Sequence, residues 1–252
     1  MSILKLPIFG IYYAVVDYEI ATHYIIECAI KRERCGVSAL AVHGLMEAYN
    51  ESEFRAQVNK LDLVLPDGQP IRWALNFFYK CNLKDRVYGP DLTVKVLEQA
   101  NELGLSIFLF GSKPETLELL SKNILAKYNA IKIVGMQADR FREATVEEDA
   151  LDIELINSLK PNIVLVGRGC PRQEKWVSDH LLTIQVPMMA VGAAFDFLAG
   201  TLDQAPDWMQ RNGLEWFYRL YKEPGRLWKR YLFTNTQFLF LFARGWLFKQ
   251  FR

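Results

Sequence analysis

Short apolar runs alternate with longer amphipathic runs through the middle of the chain. Five of the apolar runs are predicted to form strands: Leu61–Leu65, Ser106–Phe110, Ile131–Val134, Ile163–Val166 and Met188–Val191. Most of them are almost continuously apolar, as expected for strands that are buried on both faces of a parallel sheet. Since strands that alternate with helices form βαβ units, the pattern predicts an α/β fold with a mostly parallel sheet flanked by helices.

Capping and stop signals predict where several elements begin and end. An amphipathic helix is expected over Asp91–Leu103, with Gly104 as its C-terminal stop. Ser112–Glu115 and Thr145–Glu148 both match the capping box, so each is predicted to open a helix. The apolar segment Leu6–Val16 lacks a small-residue cleavage site, and we therefore predict an opening strand there rather than a signal peptide.

Glycine recurs where the predicted strands end. The ends read Pro66-Asp67-Gly68, Gly111-Ser112, Gly135, Gly167-Arg168-Gly169 and Gly192-Ala193-Ala194. At any one of these positions, glycine could simply be a common turn residue. Ligands of parallel α/β sheets bind outside the carboxyl ends of the strands, however, so several such glycines together favour a ligand that lies across these ends.

The segment Gly167–Trp176, which reads GRGCPRQEKW, joins a predicted strand to a predicted helix. Gly167 and Gly169 would let the backbone approach a ligand closely. Pro171 suits the first turn of a helix, where its missing N–H would have no partner. Because a helix N-terminus has free N–H groups and partial positive charge, this junction is predicted to hold a phosphate group.

Polar side chains in the same segment extend that prediction. Arg168 and Arg172 could add charge-assisted hydrogen bonds to an anion, and Gln173 and Glu174 could face a bound sugar or ribose. The segment is neither the GxGxxG fingerprint nor a Walker A loop. A capped strand–helix turn with exposed charges is the structural alternative.

Asp67 is the candidate general base. It follows a predicted strand and could accept a proton from an attacking hydroxyl, although Asp-Gly is also a common turn pair. Arg86 could hold a diphosphate or a carboxylate, or be a solvated loop charge. Asp196 could face a ligand or cap a helix start. His43 lies at a predicted strand-to-helix junction, where a lone histidine is more often structural.

Positive charge is concentrated at the C-terminal end of the chain. The 252 residues have a formal net charge of +1, whereas Trp208–Arg252 contains nine basic and two acidic residues. A break at Ala205–Trp208 divides the chain into a predicted α/β catalytic core, residues 1–205, and a helical, basic and aromatic appendage, residues 206–252. Such a charge split indicates an anionic partner for the appendage.

The aromatic residues of the appendage narrow the choice of partner. Arg219, Arg226, Lys229 and Arg230 recur close to the helical repeat, with aromatic residues between them. Basic groups beside such aromatics favour an anionic membrane surface. The strongly apolar run 233–248 argues against nucleic acid, and packing of the aromatics onto the core is a third interpretation. The continuously apolar part of this segment, Phe238–Ala243, is too short to span a bilayer, which needs roughly 20 apolar residues.

The cysteines and histidines show no metal-ligand spacing. Cys28, Cys35, Cys81 and Cys170 form no CxxC pair, and the three histidines are scattered. We therefore expect reduced thiols in a cytosolic protein and no metal site.

Five segments, in order along the chain, together resemble the WecG/TagA/CpsF family of bacterial glycosyltransferases, also called glycosyltransferase family 26. They cover most of the chain from Leu61 to Leu232. The segments read LDLVLPDGQPIRWA, DRVYGPDL, IFLFGSKPE, PNIVLVGRGCPRQEKW and AVGAAFDFLAGTLDQAPDWMQRNGLEWFYRLYKEPGRLWKRYL. The joint pattern is highly specific, although each piece alone is not.

The resemblance implies a Rossmann-like fold and a transfer reaction. The donor would be a UDP-sugar, typically N-acetylmannosamine, its uronic acid or a related hexose. The acceptor would be a sugar on a polyprenyl diphosphate, such as undecaprenyl-diphosphate-N-acetylglucosamine, in the synthesis of cell-surface polysaccharide or wall polymer. Inversion at the anomeric carbon is expected, with no cofactor or metal. The implied location is the cytoplasmic face of the bacterial plasma membrane, and the protein could form a homo-oligomer.

The resemblance also implies roles for individual residues. Asp67 would be the general base, Gln173 would lie beside the donor sugar and Arg86 would lie in a basic loop next to the site. The appendage would close over the site and supply cations to the acceptor diphosphate: Arg219, Arg226, Lys229 and Arg230. The predicted donor-binding residues are Gly111, Ser112, Gly135, Gly167, Gly169, Arg172, Gln173, Glu174 and Gly192.

The chain departs from the family pattern in three places. Ser38–Ala41 lacks the threonine and asparagine often found there, so Ala39 and Ala41 would remove two polar ligand contacts. The family's Pro-Lys-Gln-Glu reads Pro-Arg-Gln-Glu here, which keeps the charge. The segment after Gly135 lacks the usual proline pair.

Two other functions are weighed against glycosyl transfer. A dehydrogenase on a similar sheet is disfavoured because no GxGxxG follows any predicted strand. A membrane-binding adaptor with a vestigial site would consume no UDP-sugar.

Overall fold

A computed structural model of the protein describes residues 3–248, and the side chains of Asp207, Arg226 and Arg230 also lie outside the described part. The strands are β1 (Lys5–Ile8), β2 (Ile11–Ala14), β3 (Cys35–Leu40), β4 (Leu63–Pro66), β5 (Ser106–Gly111), β6 (Lys132–Gln137), β7 (Ile163–Gly167) and β8 (Pro187–Ala190). The helices are α1 (Tyr18–Lys31), α2 (Val42–Asn50), α3 (Ser52–Asn59), α4 (Gln69–Tyr79), α5 (Gly89–Glu102), α6 (Pro114–Lys127), α7 (Val146–Leu159), α8 (Arg172–Asp179), α9 (Ala194–Ala199), α10 (Asp207–Arg211), α11 (Glu215–Lys222) and α12 (Pro224–Leu247).

Six strands form the central sheet in the order β4-β3-β8-β7-β5-β6, and every neighbouring pair is parallel. Successive side chains of a strand point to opposite faces, so each strand contributes to two apolar layers. In β5, Phe108 and Phe110 belong to one buried cluster, whereas Ile107 and Leu109 belong to the other. This confirms the predicted α/β fold, with a Rossmann-like sheet that is covered by helices on both faces.

The predicted opening strand is wrong in one respect, because Leu6–Val16 contains two strands. β1 and β2 pair as an antiparallel hairpin, and Ile8 lies opposite Ile11. Phe9 and Gly10 form the connection with φ of 47° and 89°. Positive φ at both central residues is the geometry of the two-residue turn that matches the strand twist.

Of the two predicted capping boxes, only the one at Thr145 is confirmed. The Thr145 side chain accepts a hydrogen bond from the Glu148 N–H, and the Glu148 side chain accepts one from the Thr145 N–H. At the other site, α6 begins at Pro114 and has no side-chain cap. The prediction fails because Lys113 is the N-cap residue of α6, and Ser112 lies one residue too early, with φ of 58°. The backbone of Ser112 instead joins strand ends: its N–H donates to the Gly167 carbonyl, and its carbonyl accepts from the Asp139 N–H.

The appendage forms α10, α11 and α12, and one face of α12 packs on the rest of the chain. Phe238 and Leu241 are buried in one of the two core clusters, and Phe242 lies 5.0 Å from Phe78 between ring centroids. The interpretation of the aromatics as packing residues therefore holds for this face. The boundary between residues 205 and 206 stays a prediction. Within residues 3–248, no helix combines the length and the apolar character needed to cross a membrane.

Candidate active site

A cavity of about 820 Å³ opens at the carboxyl edge of the central sheet. It brings together strand ends that are far apart in the sequence, as expected for a parallel α/β sheet. The residues singled out in the sequence that line it are His43, Asp67, Ser112, Gly167, Arg168, Gly169, Arg172, Gln173, Glu174, Gly192, Asp196 and Arg219. Ala39 and Ala41 also line it, so the positions that depart from the family pattern form an apolar part of its wall.

Asp67 lies directly after β4, and its environment suits a general base. Burial raises the pKa of its carboxyl to about 7, and the negative charge of Glu215 acts in the same direction. The positive charges of Arg86 and Arg219 and a hydrogen bond from the Gly89 N–H oppose this shift of the pKa. A carboxylate with a pKa near neutrality accepts a proton more readily than an ordinary aspartate does.

Arg86 is buried and is not among the residues that line the cavity, so the prediction that it holds a ligand anion is not supported by its placement. Its Nη2 donates a 2.6 Å hydrogen bond to Oε2 of Glu215 on α11, and its guanidinium lies 4.1 Å from the ring centroid of Tyr88. Arg86 thus binds a carboxylate of the appendage and influences Asp67 through its charge.

The segment after β7 is held by a buried network around Glu174. Gln173 Oε1 accepts a hydrogen bond of 3.1 Å from the Gly169 N–H, and its Nε2 donates one of 2.8 Å to Glu174 Oε1. Ser38 Oγ donates to the same oxygen of Glu174 at 3.1 Å. Burial raises the pKa of Glu174. Both groups of the Gln173 amide are therefore used to fix the loop, and the amide lies directly against Gly192, where a Cβ would be 3.3 Å from Oε1.

Asp139 is a central residue that the sequence analysis missed. Its side chain is buried, with Oδ1 3.2 Å from Arg168 Nη2 and Oδ2 2.8 Å from Arg172 Nη2. Two arginines are thereby fixed beside the N-terminus of α8, which begins at Arg172 rather than at Pro171. Asp139 follows β6 by two residues. If the end of β6 had been predicted at Gln137 instead of Val134, Asp139 would have been recognised as a residue at a strand end.

Two of the predicted donor-binding glycines serve packing instead of lining the cavity. β6 continues to Gln137, so Gly135 lies inside the strand, and a Cβ there would be 2.6 Å from both Phe108 and Leu159. At Gly111, whose φ is 114°, a Cβ would be 2.6 Å from the Gly167 backbone. Glycine at these positions allows close packing at the edge of the sheet.

Of the four predicted acceptor cations, Arg219 lines the cavity. Its Nε is buried and has no hydrogen-bond partner among the described residues. Lys229 is instead exposed, with its Nζ 5.5 Å from the Trp228 ring centroid, so its predicted position beside the site is not confirmed. The side chains of Arg226 and Arg230 lie outside the described part of the structure.

No arrangement typical of a metal site occurs in the described range. Among residues 3–248, no group of three or more His, Cys, Asp or Glu side chains is placed to hold a metal ion. Independence from metals and cofactors stays a prediction.

Comparison with known proteins agrees with the resemblance in the sequence. The model of the "Glycosyl transferase WecG/TagA/CpsF family" matches residues 6–252. A protein of Bacillus subtilis (strain 168), named N-acetylglucosaminyldiphosphoundecaprenol N-acetyl-beta-D-mannosaminyltransferase, is 32% identical over 187 residues, which cover 73% of this chain and 70% of the relative. The chain therefore belongs to the WecG/TagA/CpsF family and is a glycosyltransferase.

Proposed function

We propose that the protein transfers N-acetylmannosamine from a UDP-sugar to N-acetylglucosamine carried on a polyprenyl diphosphate, with inversion at the anomeric carbon. The observation that carries this proposal is Asp67, whose carboxyl has a pKa of about 7 and lies in the same cavity as the N-terminus of α8 and Arg219. The name of the Bacillus subtilis relative supplies the sugar and the acceptor.

In the proposed reaction, Asp67 takes the proton of the acceptor hydroxyl. The hydroxyl oxygen forms a bond to the anomeric carbon of the donor, and the bond from that carbon to the UDP oxygen breaks on the opposite face. The electron pair of the broken bond leaves with UDP, where negative charge develops. The partial positive charge at the start of α8, with the guanidinium groups of Arg168 and Arg172, is suited to stabilise that charge.

The acceptor diphosphate is assigned to the appendage side of the cavity. Arg219 of α11 lines the cavity, and its guanidinium brings a positive charge that suits a phosphate group. Arg226, Lys229 and Arg230 follow it in sequence and remain candidates for the same role or for the anionic membrane surface.

The test of this function is a donor panel with the full chain and a soluble analogue of the N-acetylglucosaminyl-diphosphate acceptor. We expect UDP release with UDP-N-acetylmannosamine and much less with UDP-N-acetylglucosamine or the mannosaminuronic donor. A reaction without acceptor controls for hydrolysis, an acceptor without the diphosphate tests recognition of that group, and a chelator tests the predicted independence from metals. Release that does not require the acceptor, or no release with any UDP-sugar, would overturn the proposal.

The outer face of α12 is the proposed membrane-binding surface. Two columns of large apolar side chains recur there every seven residues and are exposed, whereas Phe238 and Leu241 are buried against the core. The columns consist of Leu232, Leu239 and Trp246, and of Phe233, Phe240 and Leu247. Apolar surface of this extent, together with basic residues, favours a lipid headgroup region over nucleic acid.

Replacing both Phe233 and Phe240 with serine should therefore weaken binding to vesicles that contain phosphatidylglycerol. Burial of one such side chain contributes roughly 1.5–3 kcal/mol, so we expect at least about a tenfold loss in a flotation or sedimentation assay. Leu182→Ser removes an equally exposed apolar side chain outside the appendage and should bind as the unmodified protein does. Equal vesicle binding by all three proteins would contradict the assigned surface.

A further inference from the structure

Phe141 is an exposed aromatic residue at the active-site cavity. It lies four residues after β6 and lines the cavity, yet 57% of its surface is exposed. The nearby lining is polar or charged and includes Ser112, Asp139, Arg168 and Arg172. An apolar ring that the fold does not bury is available to a ligand.

The backbone holds this ring in an unfavourable conformation. Phe141 has a φ of 54°, in the left-handed region that bulky side chains rarely adopt. Oδ1 of Asp139 accepts a 3.0 Å hydrogen bond from the Phe141 N–H and stabilises that conformation. Conformations of this kind persist where the surrounding structure fixes them, and they occur frequently at ligand-binding sites.

Asp139 connects the ring to the predicted diphosphate site. The same carboxylate pairs with Arg168 and Arg172, and the Arg172 guanidinium lies 5.8 Å from the centroid of the Phe141 ring. The Asp139 N–H also donates to the Ser112 carbonyl at 2.9 Å, which ties the loop to the end of β5. The aromatic ring and both arginines are therefore oriented by one buried side chain.

The order of these groups along the sheet matches the order of parts in a nucleotide sugar. Gly192 follows β8, Gly167 ends β7, and Phe141 follows β6, with β5 between β7 and β6. Neighbouring strands lie about 4.8 Å apart, so the ends of β8 and β6 are about 14 Å apart. With the sugar at Gly192 and the diphosphate at the start of α8, the base would lie at the end of β6.

We propose that Phe141 is the stacking platform for the planar base of the nucleoside-diphosphate donor, and that Asp139 positions this ring together with the arginines that bind the diphosphate. The proposal rests on the proposed function, since it assumes a nucleotide-activated sugar. Aromatic rings and nucleobases stack through their faces, and each such contact contributes measurably to binding. A diphosphate without a base would make no use of the ring.

Calorimetry with UDP and with inorganic diphosphate tests the inference on the full chain. Phe141→Ala should weaken UDP binding by roughly 5- to 30-fold and leave diphosphate binding unchanged, because only UDP carries a base. Phe141→Tyr keeps an aromatic face and should restore the UDP affinity. Phe77→Ala removes a ring of similar exposure on α4, outside the cavity lining, and should bind UDP normally.

The outcomes separate this inference from the proposed function. If the unmodified protein binds UDP and Phe141→Ala binds it equally well, the stacking role is wrong and the proposed function stands. If Phe141→Ala weakens UDP and diphosphate by the same factor, the ring acts only by placing Arg172, which also overturns the stacking role. If the unmodified protein binds no UDP, the proposed donor fails and the inference fails with it.

Discussion

Replacing Asp67 with asparagine should reduce kcat for sugar transfer by roughly 10²- to 10⁴-fold, the contribution typical of a general base. The amide occupies the same space but cannot accept the proton of the acceptor hydroxyl. Because Asp67 is not assigned to the diphosphate of the donor, calorimetric affinity for UDP should stay within about twofold of the unmodified protein. An Asp67→Asn variant that transfers sugar at the original rate would contradict the assignment of the base.

The pH dependence of the reaction should follow the ionisation of the same carboxyl. Only the deprotonated form accepts a proton, so kcat/KM should rise with pH and level off above a pKa of about 7. Glu215→Gln removes a negative charge that raises this pKa, and the rise of kcat/KM should then occur at lower pH. Asp203→Asn is the matched control, because Asp203 contacts Lys222 of α11 in an exposed ion pair. If neither variant moves the profile, Asp67 is not the titrating group.

Protein stability should fall with the ionisation of Asp67 that raises the activity. The pKa of Asp67 is about 7 in the folded protein and close to 4 in an unfolded chain, so the folded state retains a proton that the unfolded state loses. Ionisation of Asp67 therefore lowers the free energy of unfolding as the pH rises from about 4 to 7. The Tm of Asp67→Asn relative to the unmodified protein should be higher at pH 8 than at pH 5, which scanning calorimetry can measure. A relative Tm that is lower at pH 8 would contradict the raised pKa.

The sequence predicted the central strands well because strands that are buried on both faces carry an unambiguous apolar signal. Runs such as Ile163–Val166 cannot be placed elsewhere in an α/β fold without exposing apolar surface. The strand β3 was predicted only indirectly, from the strand-to-helix junction at His43. Its sequence, CGVSAL, contains small and polar residues and therefore lacks the continuous apolar signal of the other strands. The hairpin of β1 and β2 was missed because its turn needs Phe9 at positive φ, which phenylalanine rarely adopts.

The candidate site was predictable where a residue's position follows from its strand end, as for Asp67 and Gly167, which both line the cavity. It was not predictable where the role depends on contacts between distant segments. Asp139 forms an ion pair with Arg168, which follows another strand. Glu215 of the appendage accepts a hydrogen bond from Arg86, which is 129 residues away in the sequence. Local pattern contains no information about such pairings, which arise only when the strand ends meet.

Arg219→Ala should reduce kcat/KM for the acceptor by roughly 10- to 100-fold, because a hydrogen bond to a charged group contributes about 1.5–3 kcal/mol. Arg219 lines the cavity, so its positive charge lies where the acceptor diphosphate is proposed to bind. In an assay with the soluble acceptor analogue, most of the loss should appear as a higher KM for the acceptor. Arg219→Lys keeps the charge but loses the planar donor geometry and should recover part of the activity.

A second readout distinguishes direct participation of Arg219 from mere stabilisation of α11. The positive charge of Arg219 lowers the pKa of Asp67, so its removal should shift the rise of kcat/KM to higher pH, opposite to the shift expected for Glu215→Gln. Arg244→Ala removes an exposed cation of α12 and should change neither the acceptor KM nor the pH profile. If Arg219→Ala also leaves both unchanged, Arg219 does not supply a cation to the active site. Opposite shifts of the pH profile in Glu215→Gln and Arg219→Ala, together with a higher acceptor KM in Arg219→Ala, would establish that α11 both binds the acceptor and sets the basicity of Asp67.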